Sequence, residues 1–312
     1  MDNILCIVGP TASGKTRLSV ALAQALDAEI VSFDSMQVYK GMDVGTAKPT
    51  IKERGGIRHH MFDVVSPDEE FSVSRYVEQA DRCVQDILKR GKMAVLVGGT
   101  GLYVDSLIAG REFAPFPSTG RREELQKRLD REGIDGIYAD LQKVDPEAAE
   151  KIHPANHKRV IRALEVFLET GTTISEHNRQ SKLRKPKYEP IWIGLDYVNR
   201  EALYRRIDLR VEQMFEQGLL SEVEMLLKSG IKPDATSLQA IGYKELVAYF
   251  NGEGTLQEAK ELIALSSRRY AKRQRTWFYR NEKIHWLMLP DEPDFDAIFQ
   301  QARQICTIFD TQ

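Results

Sequence analysis

The chain has 312 residues, 44 of them lysine or arginine and 46 aspartate or glutamate, for a formal charge of −2. That length accommodates one large domain or two unequal ones, and the near-neutral total excludes a protein that gathers nucleic acid by net charge alone, so any RNA site must be a local patch. Cys6, Cys83 and Cys306 stand far apart and outside any CxxC spacing, which argues against a disulfide framework or structural zinc and makes a reducing cytoplasm the expected setting.

Ile4 to Val8 is an apolar run that leads straight into Gly9 and Pro10. It is too short for a signal segment and reads as a buried strand, and no stretch of the chain is long and apolar enough to suggest a membrane span. Leu18, Leu22, Ala25 and Leu26 then recur at helical spacing. Glu29 to Phe33 reads as a second strand. Val73, Val77, Ala80, Val84 and Leu88 keep a helical period from a Ser72 cap to Gly91, and Met93 to Val97 follows as another strand. This alternation predicts an α/β fold, a parallel sheet flanked by helices.

From Arg111 the character changes. Pro115 and Pro117 interrupt the chain, and the following residues are charged, helical in period and without strand patterning. We read 111–190 as an inserted all-helical subdomain, closing at the basic, proline-punctuated stretch Lys182 to Pro190, and 1–110 with 191–312 as one core. Ile191 to Leu195 returns as a strand. Leu203, Ile207, Val211 and Met214 give a helix ending before Gly218, Val223, Leu226 and Leu227 another ending before Gly230, and His285 to Leu289 a last strand.

Gly9, Pro10, Thr11, Ala12, Ser13, Gly14, Lys15 and Thr16 match G-x-x-x-x-G-K-[ST], placed between an apolar strand and an amphipathic helix. In that context the glycines turn backbone N–H groups toward phosphate oxygens. The helix N-terminus and Lys15 add positive charge, and Thr16 can ligate Mg²⁺. The motif calls for a polyphosphate and leaves the reaction open.

Asp34 follows the second strand, at the edge where open α/β sheets bind ligands. It could hold Mg²⁺, act as a general base, or cap a turn. Ser35 and Gln37 beside it suit a purine edge. Gly98-Gly99-Thr100-Gly101 follows the strand ending at Val97 and predicts a second close backbone approach to the same ligand. The run from Arg268 to Arg280 combines basic and aromatic residues without an acid. It fits either RNA contact or a solvated helix face whose aromatics enter the core. Lys158-Arg159-Val160-Ile161-Arg162 is a second basic cluster. His153 and His157 lack the H-E-x-x-H pattern of a zinc site, and His59-His60 reads as a turn or core contact.

These residues together resemble the bacterial tRNA dimethylallyltransferases, also called isopentenylpyrophosphate transferases. The resemblance runs through the P-loop, Asp34 to Asp43 with Gly45 to Pro49, and Gly98 to Tyr103. It continues at Arg159 to Val166, at Arg210 with Met214-Phe215, at Ala240-Ile241-Gly242-Tyr243-Lys244, and at Arg273 to Phe278. It implies a P-loop NTPase-like core and transfer of a dimethylallyl group from its diphosphate to N6 of the tRNA adenosine 3′ to the anticodon. Mg²⁺ is the implied cofactor, with no obligate protein partner. It further implies Asp34 as base, Lys15 and Arg210 at the diphosphate, and Thr100 near the reacting centre. Asp34, Ser35, Met36, Gln37, Lys158, Arg159, Val160, Ile161, Arg162, Gln239, Ala240, Ile241, Gly242, Tyr243 and Lys244 would contact tRNA, the helical insertion bracing the anticodon arm. The main rival is a P-loop small-molecule or nucleotide kinase, which shares the cradle but has no use for the basic segments.

Overall fold

The structure, a computed structural model, describes residues 3–111, 119–183 and 185–310. They form two compact units, 1–110 with 187–312, and 111–186. In chain order the first holds β1 (Ile4–Val8), α1 (Lys15–Ala25), β2 (Ala28–Ser32), β3 (His59–His60), α2 (Val73–Lys89), β4 (Met93–Val97) and α3 (Gly101–Ile108). The second is made of α4 (Arg121–Glu132), α5 (Ile134–Val144), α6 (Pro146–Lys151), α7 (His157–Thr170) and α8 (Ile174–Leu183). The first unit then resumes with β5 (Ile191–Tyr197), α9 (Arg200–Glu216), α10 (Leu219–Lys228), α11 (Tyr243–Phe250), α12 (Leu256–Phe278), β6 (Ile284–Leu289) and α13 (Phe295–Asp310).

The six strands form one parallel sheet in the order β3-β2-β4-β1-β5-β6. All of β1, β2 and β5 is buried, as expected where helices cover both faces of a parallel sheet. Ile7 pairs with Val97, and Val97 with Ser32, so β1, β4 and β2 end along one row. The P-loop, the Gly98 turn and Asp34 therefore leave the sheet at the same edge. Leu18, Leu22 and Ala23 of α1 and Leu203 and Ile207 of α9 pack into the core of this unit. Ser72 caps α2, its side chain accepting from the Arg75 N–H at 3.2 Å.

Unit 111–186 has its own core, in which Leu125, Ile137, Leu141, Val160, Ile161 and Leu164 are buried. Asp145 starts α6 by accepting from the Ala148 N–H at 3.0 Å and also accepts from the Ser175 N–H at 3.0 Å. The boundary at its far end differs from the sequence reading: the unit closes at Pro186 rather than Pro190. The reason is long-range bonding, since Lys187 and Tyr188 both donate backbone N–H groups to Ile108 O, and the Tyr188 hydroxyl donates to Asp81 at 2.7 Å. Among the described residues no helix is long and apolar enough to cross a membrane.

His59 and His60 are an edge strand rather than a turn, and a buried acid anchors it. Glu29 of β2 pairs with His60 Nε2 at 2.7 Å and with both terminal nitrogens of Arg90, one of them at 2.9 Å. The Arg90 hydrogen bonds foremost, with that of His60, lower the Glu29 carboxyl to about 2 against the effect of its burial. A carboxyl depressed in the folded state contributes stability above its unfolded value near 4.5 and loses it as pH falls toward 2. Glu29→Gln is expected to destabilise the protein by roughly 1 to 3 kcal/mol near neutrality, because the charged partner of two groups is lost. Its acid unfolding limb should also be shallower than that of the wild type. Equal stability across pH, read by thermal melts, would rule out this ion cluster as an anchor of the edge.

Candidate active site

The P-loop is shaped by backbone that few residues adopt. Gly9 has φ 140°, Ala12 63° and Gly14 88°, and a Cβ on Gly9 would lie 2.2 Å from Leu195 O of the neighbouring strand. Gly14 precedes α1 without a side-chain cap, which leaves the helix N-terminus to a ligand. Lys15 Nζ donates to Pro10 O at 2.7 Å, and Arg210 donates to Thr11 Oγ1 at 2.9 Å. The Thr11 N–H donates to Gln274 Oε1 at 2.8 Å.

Gln274 comes from α12 and is 4% exposed. Its other end donates to Gly99 O at 3.1 Å, so one amide links the P-loop to the turn after β4. That turn needs its glycines. An added Cβ would lie 2.8 Å from the Phe33 backbone at Gly98, 1.9 Å from Gln274 Nε2 at Gly99 and 2.2 Å from the Trp277 ring at Gly101. Between them, Thr100 Oγ1 accepts from the Ser35 N–H at 3.1 Å and fixes the segment after Asp34.

Two cavities open at this edge, of about 70 and 280 Å³. The smaller is lined by Lys15, Thr16, Gly98, Gly99 and Gln274. The larger has an apolar wall of Met36, Ile207, Val211, Met214 and Ile241, with Gln239, Lys244 and Arg273 as polar members. Thr11, Asp34, Thr46, Arg210 and Tyr270 line both. A cationic, glycine-walled cavity thus meets an apolar one at a carboxylate and a guanidinium.

The IPP transferase family model matches residues 37–282. A tRNA dimethylallyltransferase of Caldanaerobacter subterraneus is 48% identical over 297 residues, which cover 95% of this chain and 94% of the relative. One from Anoxybacillus flavithermus is 46% identical over 295 residues, covering 95% and 93%. This chain belongs to the IPP transferase family. Among solved structures, the tRNA isopentenylpyrophosphate transferase of Bacillus halodurans superposes with a TM-score of 0.74 at 42% identity, covering 98% of this chain and 96% of that one. A eukaryotic dimethylallyltransferase acting on tRNA superposes with a TM-score of 0.86 at 31% identity, covering 100% and 80%.

The residues marked in the sequence divide by environment. Asp34, Lys15, Thr16 and Arg210 share the smaller cavity, and Ser35, Met36, Gln239, Ala240, Ile241 and Lys244 line the larger. Thr100 holds the Ser35 backbone beside them. Asp34 Oδ1 accepts from the Met36 N–H at 2.9 Å, and among the described residues no hydrogen bond engages its second oxygen. Gln37 also lines the smaller cavity, where it accepts from Ser32 Oγ at 2.9 Å and donates to Thr46 O at 3.1 Å, bonds that brace the loop. Tyr243 is fully buried. Lys158 to Arg162 belong to α7 of the helical unit, where Lys158 and Arg159 are exposed. Val160 and Ile161 lie in that unit's core, which removes their side chains from RNA contact, and Arg162 pairs with Glu165 at 2.9 Å.

Thr46, Tyr270 and Gln274 fell within segments marked for resemblance or charge but were given no role of their own, and Glu222 went unmarked. Gln274 could have been found from its place with Ala271 and Phe278 on one buried face of α12. For a divalent ion the smaller cavity offers hard oxygen donors, the Thr16 hydroxyl and the Asp34 carboxylate. Among the described residues no cluster of three or more His, Cys, Asp or Glu could hold one. This set fits Mg²⁺ held chiefly by ligand phosphate oxygens.

Burial, and next the Arg210 charge, lower the Lys15 ammonium to about 7, with Asp34 opposing. Burial also lowers Arg210 from its ordinary value. The free protein therefore loses the Lys15 proton as pH rises through about 7, and an adjacent diphosphate favours the protonated form. At about pH 8, binding of dimethylallyl diphosphate is expected to take up a proton, read by calorimetry in buffers of different ionisation enthalpy. Lys15→Met should remove that uptake. Identical proton balance in the two proteins would mean that Lys15 stays charged throughout.

Proposed function

We propose that this chain transfers a dimethylallyl group from dimethylallyl diphosphate to N6 of the tRNA adenosine 3′-adjacent to the anticodon. The observation that carries the reading is the junction at which Asp34 and Arg210 line both a phosphate-type cavity and an apolar one. A donor with a diphosphate head and a short apolar tail fits that division, whereas a phosphoryl-transfer site has no use for the wall of Ile207, Val211 and Met214.

In this mechanism the diphosphate lies against the P-loop N–H groups, Lys15 and Arg210. These cations stabilise the charge that builds on the leaving group as the allylic C–O bond breaks and its electron pair departs with the diphosphate. Thr16 would hold Mg²⁺ here, and the ion when bound would supply further neutralisation of that charge. The adenine enters the larger cavity as a flipped base, since a stacked base cannot reach the junction. Its exocyclic nitrogen forms the new C–N bond, and the free oxygen of Asp34 accepts the proton that the nitrogen sheds. Asp34 is thereby assigned as base and Thr100 as the residue that fixes the Asp34–Ser35 segment. On this reading Ser35, Met36, Gln239, Ile241 and Lys244 meet the RNA loop in the core unit, and Lys158 and Arg159 supply phosphate contacts from the helical unit. A tRNA acceptor sets the reaction in the cytoplasm.

Labelled dimethylallyl diphosphate, unmodified tRNA and Mg²⁺ provide the assay, with AMP and ATP in parallel. Label should appear in tRNA alone, without ATP turnover. Asp34→Asn should reduce the transfer rate by about 10²- to 10⁴-fold, the range for loss of a general base. Its tRNA affinity should stay close to that of the wild type. A near-normal rate in Asp34→Asn would remove the base assignment; label in AMP, or ATP consumption, would replace the function proposed.

A further inference from the structure

Glu222 is a carboxylate where the pattern of α10 calls for an apolar residue. It shares the buried face with Leu219, Val223 and Leu226 and is 7% exposed. Its Oε2 accepts from the N–H groups of Asp43 at 2.9 Å and Val44 at 2.8 Å, and its Oε1 from the Gly45 N–H at 3.1 Å and the Tyr243 hydroxyl at 2.5 Å. Three successive backbone N–H groups converging on one anion form a nest. No cation joins it among the described residues. Burying a carboxylate in this way is unfavourable beside a packed leucine, which would cover α10 equally well, so packing alone does not account for the residue.

Its partners account for it. The loop it grips lies directly on the Tyr243 ring, since a Cβ on Gly45 would be 2.3 Å from Tyr243 Cε2. Lys48 pins the same loop, bonding Asp43 at 2.5 Å, Asp63 at 2.7 Å and Tyr39 O at 3.0 Å. Beyond the nest, Gly45 and Thr46 line the larger cavity, while Thr46, Ala47 and Pro49 line the smaller. On the other side, Tyr243 begins α11 one residue beyond the strip Gln239, Ala240 and Ile241, which lines the larger cavity as well, with Gly242 between them. One carboxylate and one phenol therefore tie together two walls of that cavity.

We propose that Glu222 and Tyr243 are positioning residues that set the width of the cavity in which prenyl donor and acceptor base meet. This rests on the reading of that cavity as the transfer site. Neither side chain touches the reacting atoms. Glu222 acts through the 43–45 backbone, and Tyr243 through Gly45 and through its link to 239–241. Tyr243 thus bears on tRNA indirectly rather than as a contact.

Glu222→Gln retains the shape but turns an NH₂ toward N–H donors, and Tyr243→Phe keeps the ring under Gly45 while removing one donor. Glu222→Gln is expected to lower kcat by about 10- to 100-fold, the scale of a displacement of order 1 Å at a reacting centre. Tyr243→Phe should lose less, in the same direction. Affinity for inorganic diphosphate should hold, because the P-loop, Lys15 and Arg210 are untouched. The preference for dimethylallyl over geranyl diphosphate should fall as the cavity loosens. Amide hydrogen exchange at Asp43, Val44 and Gly45 should quicken in both variants, a readout independent of any transfer activity. Unchanged exchange at those amides overturns the proposal even if the wild type transfers no prenyl group, a result that would separately sink the function proposed above. Unchanged kcat and donor preference also overturn it, as does a parallel loss of kcat and diphosphate affinity, which would mean collapse of the cradle rather than a change in cavity width.

Discussion

Parallel pairing of β1, β4 and β2 is the constraint on which the site depends. Ile7, Val97 and Ser32 lie in one row, so the P-loop, the Gly98 turn and Asp34 emerge side by side without any long-range side-chain contact having to bring them there. Close approach then limits what those loops can be made of. Gly9 must clear the Leu195 carbonyl, and Gly99 must clear the Gln274 amide. Because Gln274 bonds to both the P-loop and the Gly98 turn, the distance between the phosphate cradle and the second turn is fixed by one side chain from α12.

Charge in the site is kept in short supply of solvent. Lys15 and Arg210 are neighbouring cations, each lowered by burial and each supported by Asp34. Two such groups are poorly stabilised without an anion, and a diphosphate relieves both at once. Asp34 alone does not neutralise them. Its Oδ1 accepts from the Met36 N–H, which orients the carboxylate, and Asp34 lines both cavities. On the function proposed above, the carboxylate that supports the two cations is also the base.

What the sequence disclosed follows from the range of the interactions involved. The P-loop, the Ser72 cap and the Gly98 turn are set by backbone conformation within a few residues, and they stood where motif and spacing put them. The apolar row Leu203, Ile207, Val211 and Met214 was likewise legible, since all four are buried on one face of α9. Its members Ile207, Val211 and Met214 double as the wall of the larger cavity, a function that periodicity cannot separate from core packing. Gln37 read only as suited to a purine edge, because its partners Ser32 and Thr46 meet it only once the loop has folded. Glu222 was hidden for the same reason: its ligands are backbone N–H groups, which carry no sequence signature. Its one trace is an acid standing in an apolar helical row. The far boundary of the helical unit was misplaced by the bonds of Lys187 and Tyr188 to Ile108, a contact between positions remote in sequence.

The basic run on α12 reconciles a near-neutral chain with a polyanionic substrate. One face of its helix enters the core, as the reading of a helix whose aromatics pack inward expected. Ala271, Gln274 and Phe278 are buried, Arg268 is paired with Asp208 at 2.8 Å, and Arg275 with the buried Asp196 at 2.7 Å. The first pair ties α12 to α9 and the second ties it to β5, so both cations are engaged within the protein. Arg273 remains on the wall of the larger cavity with its guanidinium 5.6 Å from the centre of the Tyr270 ring. A cation beside an aromatic ring at the cavity suits a nucleotide presenting both a phosphate and a base. Salt dependence of RNA binding reports the phosphates contacted rather than the protein's total charge, so a formal charge of −2 does not exclude a polyanionic substrate.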